Sequence, residues 1–358
     1  MRGFQPALFC FEKNKEERTL VSGQSSLWSM HMDKPHIVVT YSVGDTRRGQ
    51  LKDLLGSEAR LSFLADMPTG LREQTLIDAD VLLSWNLPKE LLPAGPGLLR
   101  RVKMIQLLSA GADHLPFSEL RSDIVIASNI GAYADPMAEH VLAMALALAK
   151  NLLREHQNLI RGEFNQSVMN RLLAGSVCGI IGFGGIGRAT ARLMRGLGVR
   201  IYAVNTSGRT DEPVEYIGTL KDLEHVLSSS DVVSISLPLM KATRGLIGKR
   251  ELGWMKPDAI LINVARGAVI DEGALYEHLR SHPRFQAGLD VWWIEPFSSG
   301  EFRTSYPFLS LPNVLGSPHN SAMVPGINEE GTGRAAENVK RFLRGEPIAG
   351  LVMREDYG

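Results

Sequence analysis

The feature that most constrains the fold of this chain is an apolar segment, Val177–Ile181, joined directly to a glycine turn. The turn has the spacing G-x-G-x-x-G at Gly182, Gly184 and Gly187, and a helical pattern of apolar residues begins at Ile186. In a strand–turn–helix unit of this kind, the first glycine permits the tight turn, the second lets the backbone approach a pyrophosphate, and the third lets the helix pack on the strand. The pyrophosphate would lie on the free N–H groups at the helix N-terminus. The pattern therefore predicts a dinucleotide-binding unit rather than a glycine-rich turn alone.

Length, charge and cysteine content limit what else the chain can be. Its 358 residues are too many for one ordinary core, so we expect two domains. Lys plus Arg (39) equals Asp plus Glu (39), which argues against a nucleic-acid or membrane-surface partner. Cys10 and Cys178 imply no disulfide framework, which is typical of a reducing cytoplasm, and no apolar run reaches membrane-spanning length. We expect a cytoplasmic protein whose partner is a small molecule, without a nucleic-acid or membrane partner.

The first part of the chain contains two segments with different sequence patterns. Residues 1–34 lack the pattern of the rest, and we interpret them as an N-terminal extension. Since Met30 and Met32 come just before the first strand, we also consider Met1 a candidate for a mis-assigned start. Apolar segments that alternate with helical or loop segments then predict a first α/β domain with a mostly parallel sheet. Its predicted strands are His36–Tyr41, Arg60–Leu64, Val81–Ser84, Met104–Leu108 and Ile124–Ala127.

A long helix is predicted to separate this domain from the glycine turn. It opens at Asp135-Pro136, where proline suits the first helical turn, and runs through about His156. After the strand at 177–181, a second α/β series follows, and a final helix is predicted from about Gly326 to Leu343. The further strands predicted in the second series are Arg200–Val204, Val232–Leu237, Ala259–Val264, Ala287–Val291 and Val314–Gly316.

Three polar residues follow predicted strands of the second series: Arg266, Glu295 and His319. Dinucleotide enzymes place reactive groups at the carboxyl ends of their strands. Singly, each is more often an ordinary surface or loop residue, but together they suit hydride transfer to a 2-oxo acid. Arginine matches a carboxylate in shape, histidine is an acid or base near neutral pH, and glutamate beside it favours the imidazolium and fixes the ring. No zinc-type His/Cys spacing and no G-x-S-x-G elbow is present, so we predict no metal and no nucleophilic serine.

Over roughly residues 36–350, the chain resembles the family of D-isomer-specific 2-hydroxyacid dehydrogenases. The motifs that carry the resemblance occur in the family's order along the chain. They are the glycine turn 182–187, Leu237-Pro238-Leu239 with Thr243–Ile247, Asn263–Gly267, Leu289-Asp290-Val291 with Glu295-Pro296, and Ser317-Pro318-His319.

The resemblance implies a set of site residues. The family's catalytic arginine, glutamate and histidine fall on Arg266, Glu295 and His319. Its aspartate that holds the nicotinamide carboxamide falls on Asp290, and its substrate-carboxylate loop on 109–113, with N–H groups of Ala110 and Gly111 facing the substrate together with Arg266 and His319. The full set of expected cofactor contacts is Gly182, Phe183, Gly184, Gly185, Ile186, Gly187, Asn205, Thr206, Ser207, Arg209, Leu237, Pro238, Thr243, Val264, Ala265, Arg266, Asp290 and His319.

The resemblance also implies an architecture. We expect two Rossmann-like or flavodoxin-like domains with parallel sheets and an active site in the cleft between them. Residues 35–133 plus 320–358 would form the substrate-binding domain, completed by the C-terminal helix, and residues 134–319 the dinucleotide-binding domain. We expect a homodimer. Glu295 argues against formate as the substrate, because formate dehydrogenases of the superfamily carry glutamine there.

One departure bears on the cofactor. An NAD site usually has an acidic residue for the ribose hydroxyls after the second strand. Here that strand ends in Asn205, which would not repel a 2′-phosphate, and Thr206, Ser207 and Arg209 could donate to one. We therefore favour NADP over NAD, although Asn205 would also suit the ribose of NAD.

The sequence leaves two alternatives to a reductase of glyoxylate, hydroxypyruvate or a larger 2-oxo acid. The first is a dinucleotide-sensing interaction protein, because some relatives with this fold act as transcriptional corepressors and fold alone does not fix function. The second is an enzyme acting on a non-carbonyl oxyanion such as phosphite.

Overall fold

A computed structural model describes residues 34–91 and 95–357 of the chain. The predictions made for the N-terminal extension, including Cys10 and the alternative start, lie outside the described residues. The chain divides into two compact units. One comprises Met1–Ala132 with Gly326–Gly358, and the other comprises Tyr133–Pro325.

The first unit contains a five-stranded parallel sheet in the order β2-β1-β3-β4-β5, which is the flavodoxin-like order. All the strands predicted for this region are present; β3 has the predicted bounds, and the other four are shorter than predicted by one or two residues. The strands are β1 His36–Val39, β2 Arg60–Phe63, β3 Val81–Ser84, β4 Met104–Leu107 and β5 Val125–Ala127.

Both faces of this sheet are covered. Ile37 and Val39 belong to one buried cluster, whereas Val38, between them, belongs to another. Because successive side chains of a strand point to opposite faces, the strands read as continuous apolar runs, as is typical of parallel sheets. The helices that follow the strands are α1 Asp45–Leu55, α2 Thr69–Ile77 and α3 Leu87–Glu90, with single 3₁₀ turns at Leu64–Asp66 and Pro96–Leu98.

The second unit contains a seven-stranded parallel sheet in the order β12-β11-β10-β9-β6-β7-β8. Six of these strands were predicted, and the short β8 was missed. The order is that of a Rossmann sheet with one further strand at the edge, and the winding reverses between β6 and β9. The strands are β6 Val177–Ile181, β7 Arg200–Val204, β8 Tyr216–Gly218, β9 Val232–Ile235, β10 Ile260–Asn263, β11 Gln286–Leu289 and β12 Val314–Gly316.

Helices connect these strands and cover the sheet. The first, α4, packs against α6, β10 and β11. The helices are α4 Ala134–Ala149, α5 Leu152–Ile160, α6 Gly185–Gly196, α7 Leu223–Ser229, α8 Lys249–Trp254, α9 Glu272–Ser281 and α10 Pro296–Ser299, with 3₁₀ turns at Leu220–Asp222, Gly267–Val269 and Phe308–Ser310.

The prediction of one continuous helix from Asp135 to about His156 was wrong. The helix breaks at Asn151, which has a left-handed φ of 52° and starts α5. Asparagine tolerates this conformation better than most residues. The carbonyl oxygen of Leu148, freed at the end of α4, accepts bonds from the N–H of Asn151 at 3.0 Å and from Nε2 of Gln286 at 3.1 Å. The break is therefore satisfied by its surroundings.

The predicted C-terminal helix is present as α11, Ile327–Leu343, and it packs against α1 of the first unit. Ala335, Val339 and Phe342 are buried in the same cluster as Ile37. A 3₁₀ turn, Arg354–Asp356, follows it. Within the described residues, every helix is too short or too polar to cross a membrane.

Candidate active site

The glycine turn at the end of β6 leaves no space for side chains at two of its positions. Gly182 has φ 101°, and a Cβ there would lie 2.7 Å from the carbonyl oxygen of Ser236. A Cβ on Gly187 would lie 2.3 Å from the carbonyl oxygen of Gly182, where α6 packs over the end of the strand. These two positions therefore require glycine for reasons of conformation and close packing.

The middle glycine differs, because a Cβ on Gly184 would meet nothing within 4 Å. Helix α6 begins at the next residue, Gly185, so the N–H groups of its first turn have no partner within the helix. The N–H groups of Gly182 and Phe183 are already used, since both donate to the carbonyl oxygen of Val204. An open glycine in front of a helix N-terminus fits the pyrophosphate of a dinucleotide.

The loop after β7 is organised by Asn205. Its Oδ1 accepts from the N–H groups of Ser207 at 3.1 Å and Gly208 at 2.7 Å, and its Nδ2 donates to the carbonyl oxygen of Arg209 at 2.8 Å. The side chain that replaces the usual acid thus shapes its own loop. Thr206, Ser207 and Arg209 are exposed.

Two ion pairs fix the segment that follows this loop to α6. Arg188 bonds Asp211 at 2.6 Å, and Arg192 bonds Glu212 at 3.0 Å. The hydrogen bond from Arg188 holds the pKa of the Asp211 carboxyl below its ordinary value. The two acids nearest in sequence to the loop are therefore each bonded to an arginine of α6.

The segment after β9 is held by Thr243, which is 2% exposed. Its hydroxyl donates to the carbonyl oxygen of Pro238 at 2.7 Å and accepts from the N–H of Met240 at 2.8 Å. Leu237 is 8% exposed, and Pro238 is exposed. Thr243 shapes the loop through its hydroxyl, so its expected role toward the cofactor stays a prediction.

Arg266 is presented by a turn at the end of β10. Asn263, 1% exposed, accepts from the N–H of Ala265 at 3.0 Å and donates to the carbonyl oxygen of Arg266 at 2.9 Å. A Cβ on Gly267 would lie 2.3 Å from the carbonyl carbon of Trp292. This close approach brings the Arg266 turn against the segment that follows β11. Val264 and Ala265 are buried in the turn.

Glu295 and His319 form a direct pair. Nδ1 of His319 lies 2.6 Å from Oε2 of Glu295, and Oε1 of the same carboxylate accepts from the N–H of Trp292 at 2.7 Å. The Glu295 side chain is 13% exposed and the imidazole 34%. Since Nδ1 faces the glutamate, Nε2 is the ring nitrogen available to a ligand.

Asp290 accepts hydrogen bonds from residues on both sides of His319. It is fully buried, and its carboxylate accepts from Oγ of Ser317 at 2.6 Å and from the N–H groups of Asn320 at 3.1 Å and Ser321 at 3.2 Å. Its carbonyl oxygen accepts from the N–H of His319 at 2.7 Å. Within the described residues, His319 is one of two non-glycine residues with positive φ, at 52°. Backbone strain of this kind is commonly found where the surrounding structure holds a functional residue in place.

The predicted substrate loop lies in the first unit, after β4. Oγ of Ser109 donates to the carbonyl oxygen of Gly111 at 2.8 Å, and the carbonyl oxygen of Ser109 accepts from the N–H of Asn129 at 2.9 Å. Ala110 is half-buried and Gly111 buried. Their expected contact with a substrate stays a prediction.

The residues of the second unit follow one edge of its sheet in a defined order. His319 follows β12, Asp290 and Glu295 follow β11, Arg266 follows β10, and the glycine turn follows β6. Neighbouring strands lie about 4.8 Å apart, so an extended dinucleotide bound at the glycine turn would have room to run along this edge toward Arg266 and His319. Within the described part of the chain, no cluster of His, Cys, Asp and Glu has the arrangement of a metal site.

Sequence reasoning missed several side chains that shape the site. Asn263 has one signal in the sequence, since it is a polar residue at the end of an apolar strand. Its hydrogen bonds, however, depend on the turn that follows. His140 was not selected from the sequence, yet its Nε2 lies 3.0 Å from Oγ of Ser317. No local pattern connects two residues so far apart in the chain.

Comparison with known proteins identifies relatives of this chain. Residues 142–321 match the model of the family described as "D-isomer specific 2-hydroxyacid dehydrogenase, NAD binding domain". The chain is 30% identical over 300 residues to a glyoxylate reductase of Thermococcus litoralis, covering 80% of this chain and 88% of that protein. It is 34% identical over 251 residues to a hydroxypyruvate reductase of Thermotoga maritima, covering 68% and 78%.

A solved structure of a relative extends the likeness to the fold. A D-isomer-specific 2-hydroxyacid dehydrogenase from Xanthobacter autotrophicus, in complex with NADPH and MES, superposes with a TM-score of 0.74. It is 26% identical, and the alignment covers 90% of this chain and 100% of that one.

The fold and the site define an NAD(P)-dependent oxidoreductase that acts on CH–OH groups. The chain belongs to the family of D-isomer-specific 2-hydroxyacid dehydrogenases.

Proposed function

We propose that this protein is an NADP-preferring reductase of small 2-oxo acids, with glyoxylate and hydroxypyruvate as the first candidates. The observation that carries the proposal is the pair between His319 and Glu295, at 2.6 Å, on the same sheet edge as Arg266 and the glycine turn. The names of the relatives from Thermococcus litoralis and Thermotoga maritima support these two substrates.

The roles follow from the chemistry of each side chain. Arg266 binds the substrate carboxylate through its guanidinium and polarises the carbonyl. His319 gives a proton from Nε2 to the carbonyl oxygen, and Glu295 stabilises the imidazolium and fixes the ring. Asp290 accepts from the nicotinamide carboxamide. When bound, the nicotinamide supplies the hydride. Ala110 and Gly111 offer N–H groups to the substrate carboxylate.

The experiment that tests this function is oxidation of NADPH and NADH against a panel of 2-oxo acids, followed by the absorbance of the reduced nicotinamide. We expect turnover, and we expect His319→Ala to lower kcat by about 10²–10⁴-fold, the range of general acid–base catalysis. A His319→Ala variant with near-normal turnover would exclude this residue as the acid. Cofactor binding without turnover on the whole panel would instead favour a sensing role.

The preference for NADP rests on the loop after β7. The amide of Asn205 is bonded within the loop and takes the position of the usual carboxylate. The exposed Thr206, Ser207 and Arg209 offer donors to a 2′-phosphate. We expect Arg209→Ala to weaken NADPH binding by about tenfold, the equivalent of one charge-assisted hydrogen bond, with little change for NADH. Arg280→Ala, which removes an arginine 63% exposed on α9, is the control. An equal loss for both cofactors would contradict a 2′-phosphate contact.

A homodimer is supported by one segment with many exposed apolar side chains, α5 and the residues that follow it, which we call the α5 face. It comprises Leu152, Leu153, Leu159, Ile160, Phe164, Met169 and Leu172, with exposed fractions from 47% to 90%. So many large apolar side chains in one segment are typical of a protein–protein interface. We propose that a second copy of the chain covers this face.

The oligomeric state tests this proposal directly. We expect the parent to sediment as a dimer and Leu159→Glu with Ile160→Glu as a monomer. Leu71→Glu, which adds the same charge at a leucine 58% exposed on α2, should leave the dimer intact. A parent that sediments as a monomer at micromolar concentration would exclude the dimer.

A further inference from the structure

A hydrogen-bonded chain links helix α4 to the buried carboxylate of Asp290. Nε2 of His140 lies 3.0 Å from Oγ of Ser317, and this oxygen lies 2.6 Å from Oδ1 of Asp290. The direct distance from Nε2 to Oδ1 is 3.8 Å. His140 has no part in the roles proposed above, although it is only 25% exposed and points toward the site.

The direction of the hydrogen bonds follows from the chemistry of the groups. A carboxylate only accepts, and the 2.6 Å distance is that of a charge-assisted O–H···O bond, so the single hydroxyl proton of Ser317 is donated to Asp290. Toward His140, Oγ of Ser317 is then an acceptor. Nε2 of His140 therefore carries a proton and donates it to Ser317.

Ser317 is held in place independently of this chain. Its N–H donates to the carbonyl oxygen of Leu289 at 2.9 Å, and its carbonyl oxygen accepts from Nε1 of Trp292 at 2.9 Å. The backbone is thus fixed on both sides, and the remaining freedom of Ser317 is the direction of its hydroxyl. The hydrogen bonds with His140 and Asp290 restrict that direction.

The orientation of the Asp290 carboxylate matters because its two oxygens accept hydrogen bonds from different donors. Oδ1 accepts from Ser317 and from the N–H of Asn320, and Oδ2 accepts from the N–H of Ser321 at 3.2 Å. These bonds close the turn in which His319 has its left-handed φ of 52°. The bond from Ser317 holds Oδ1 in position, and Oδ2 then keeps a lone pair for a further donor.

We propose that His140 is a positioning residue that acts through Ser317: it fixes the orientation of Asp290, and thereby both the turn that carries His319 and the carboxylate oxygen offered to the nicotinamide carboxamide. The carboxamide part of this inference rests on the proposed function. The part about the His319 turn applies to the ligand-free protein and does not depend on the proposed function.

The test compares His140→Gln, His140→Phe and Ser317→Ala. The amide nitrogen of glutamine reaches about as far as Nε2 and donates a proton, whereas phenylalanine fills the space without a donor. We expect His140→Phe to weaken NADPH binding by about 5- to 15-fold and to lower kcat, as expected for one lost hydrogen bond, and His140→Gln to stay within about threefold of the parent. Glu139→Gln, at an exposed position of the same helix, should have no effect.

A double-mutant cycle separates positioning from packing. If His140 acts through Ser317, then His140→Phe has no further effect in a Ser317→Ala background. Equal losses for the glutamine and phenylalanine variants, or effects that add fully in the cycle, would overturn the proposal. If His140→Phe does not fold, Ser317→Ala carries the test, because it removes one hydroxyl and must reproduce the loss in NADPH binding.

Hydrogen exchange in the ligand-free protein gives a readout without cofactor. We expect the amides of Asn320 and Ser321 to exchange faster in His140→Phe and Ser317→Ala but not in His140→Gln. Unchanged exchange in all variants would refute the effect on the His319 turn. Absence of turnover in the parent would refute the proposed function alone, because exchange and NADPH binding would still report on His140.

Discussion

Replacement of Glu295 by glutamine tests the centre of the proposed mechanism. Both carboxylate oxygens of Glu295 accept hydrogen bonds, one from the N–H of Trp292 at 2.7 Å and one from Nδ1 of His319 at 2.6 Å. Glutamine has one acceptor oxygen and one NH₂ donor. Whichever way the amide is turned, the NH₂ group faces either the N–H of Trp292 or the protonated imidazole.

The magnitude follows from these two contacts. A hydrogen bond to a charged group contributes about 1.5–3 kcal/mol and a neutral one about 0.5–1.5, so loss of the charge alone costs about 1–1.5 kcal/mol. The mismatched donor adds a further penalty, which water relieves only in part because the Glu295 side chain is 13% exposed. A total of about 1.4–2.7 kcal/mol corresponds to a fall in kcat of about 10- to 100-fold.

The assay is NADPH oxidation with the best 2-oxo acid at saturating concentrations, together with NADPH binding. Glu295→Gln should lower kcat and leave the binding of NADPH close to that of the parent. The matched control is Glu301→Gln, which removes a charge from a side chain 61% exposed that pairs with Arg303 at 3.6 Å. If Glu295→Gln retains kcat within about twofold of the parent, the carboxylate does not support the imidazolium and the mechanism is wrong.

Three further predictions concern the surroundings of the site and the fold. Gly187→Ala places a Cβ 2.3 Å from the carbonyl oxygen of Gly182, so we expect loss of about 1–3 kcal/mol in unfolding free energy and at least about tenfold weaker dinucleotide binding; normal binding by titration would contradict the packing. Burial raises the pKa of the Cys178 thiol to about 12, so peptide mapping should find it unmodified by iodoacetamide in the native protein and modified in denaturant, and native labelling would refute its burial. The hydrogen bond from Arg344 lowers the pKa of Glu58, so its contribution is present above the ordinary glutamate pKa of about 4.3 and is lost as pH falls through the lowered value. Glu58→Gln should therefore cost about 0.5–1 kcal/mol at neutral pH and nothing in strong acid, and a difference from the parent that persists in acid would contradict this.

Much of the fold could be predicted because parallel strands are buried on both faces and appear as short apolar runs. This pattern located β6, β7 and β12 to the residue. It missed β8, Tyr216–Gly218, because this segment contains a single aliphatic residue and so gives no apolar run. It also missed the break at Asn151, since the apolar period continues across a residue whose left-handed backbone depends on partners such as Gln286, far along the chain.

Site residues could be predicted where a side chain of suitable chemistry directly follows a strand. Hydrogen bonds by which one side chain positions another could not. Arg266, Glu295 and His319 could be selected because each follows a strand. The pairing of Glu295 with His319 was expected, and the atoms lie 2.6 Å apart. The hydrogen bonds that Asn205 makes within its own loop could not be foreseen, because an amide that bonds its own backbone and one that bonds a ligand have the same sequence signature.

The discontinuity of the first unit has a consequence for synthesis on the ribosome. Strands β1–β5 are translated first, but the core beneath them includes Ala335, Val339 and Phe342 of α11. The second unit, Tyr133–Pro325, is continuous and has its whole sheet once that stretch has left the exit tunnel. We therefore expect the second unit to complete its core before the first, against the usual N-terminal-first order of domain folding. On the nascent chain, Leu51 and Leu55 lack these partners from α11 until residues 335–342 have emerged, so we expect this segment to be a contact for a chaperone.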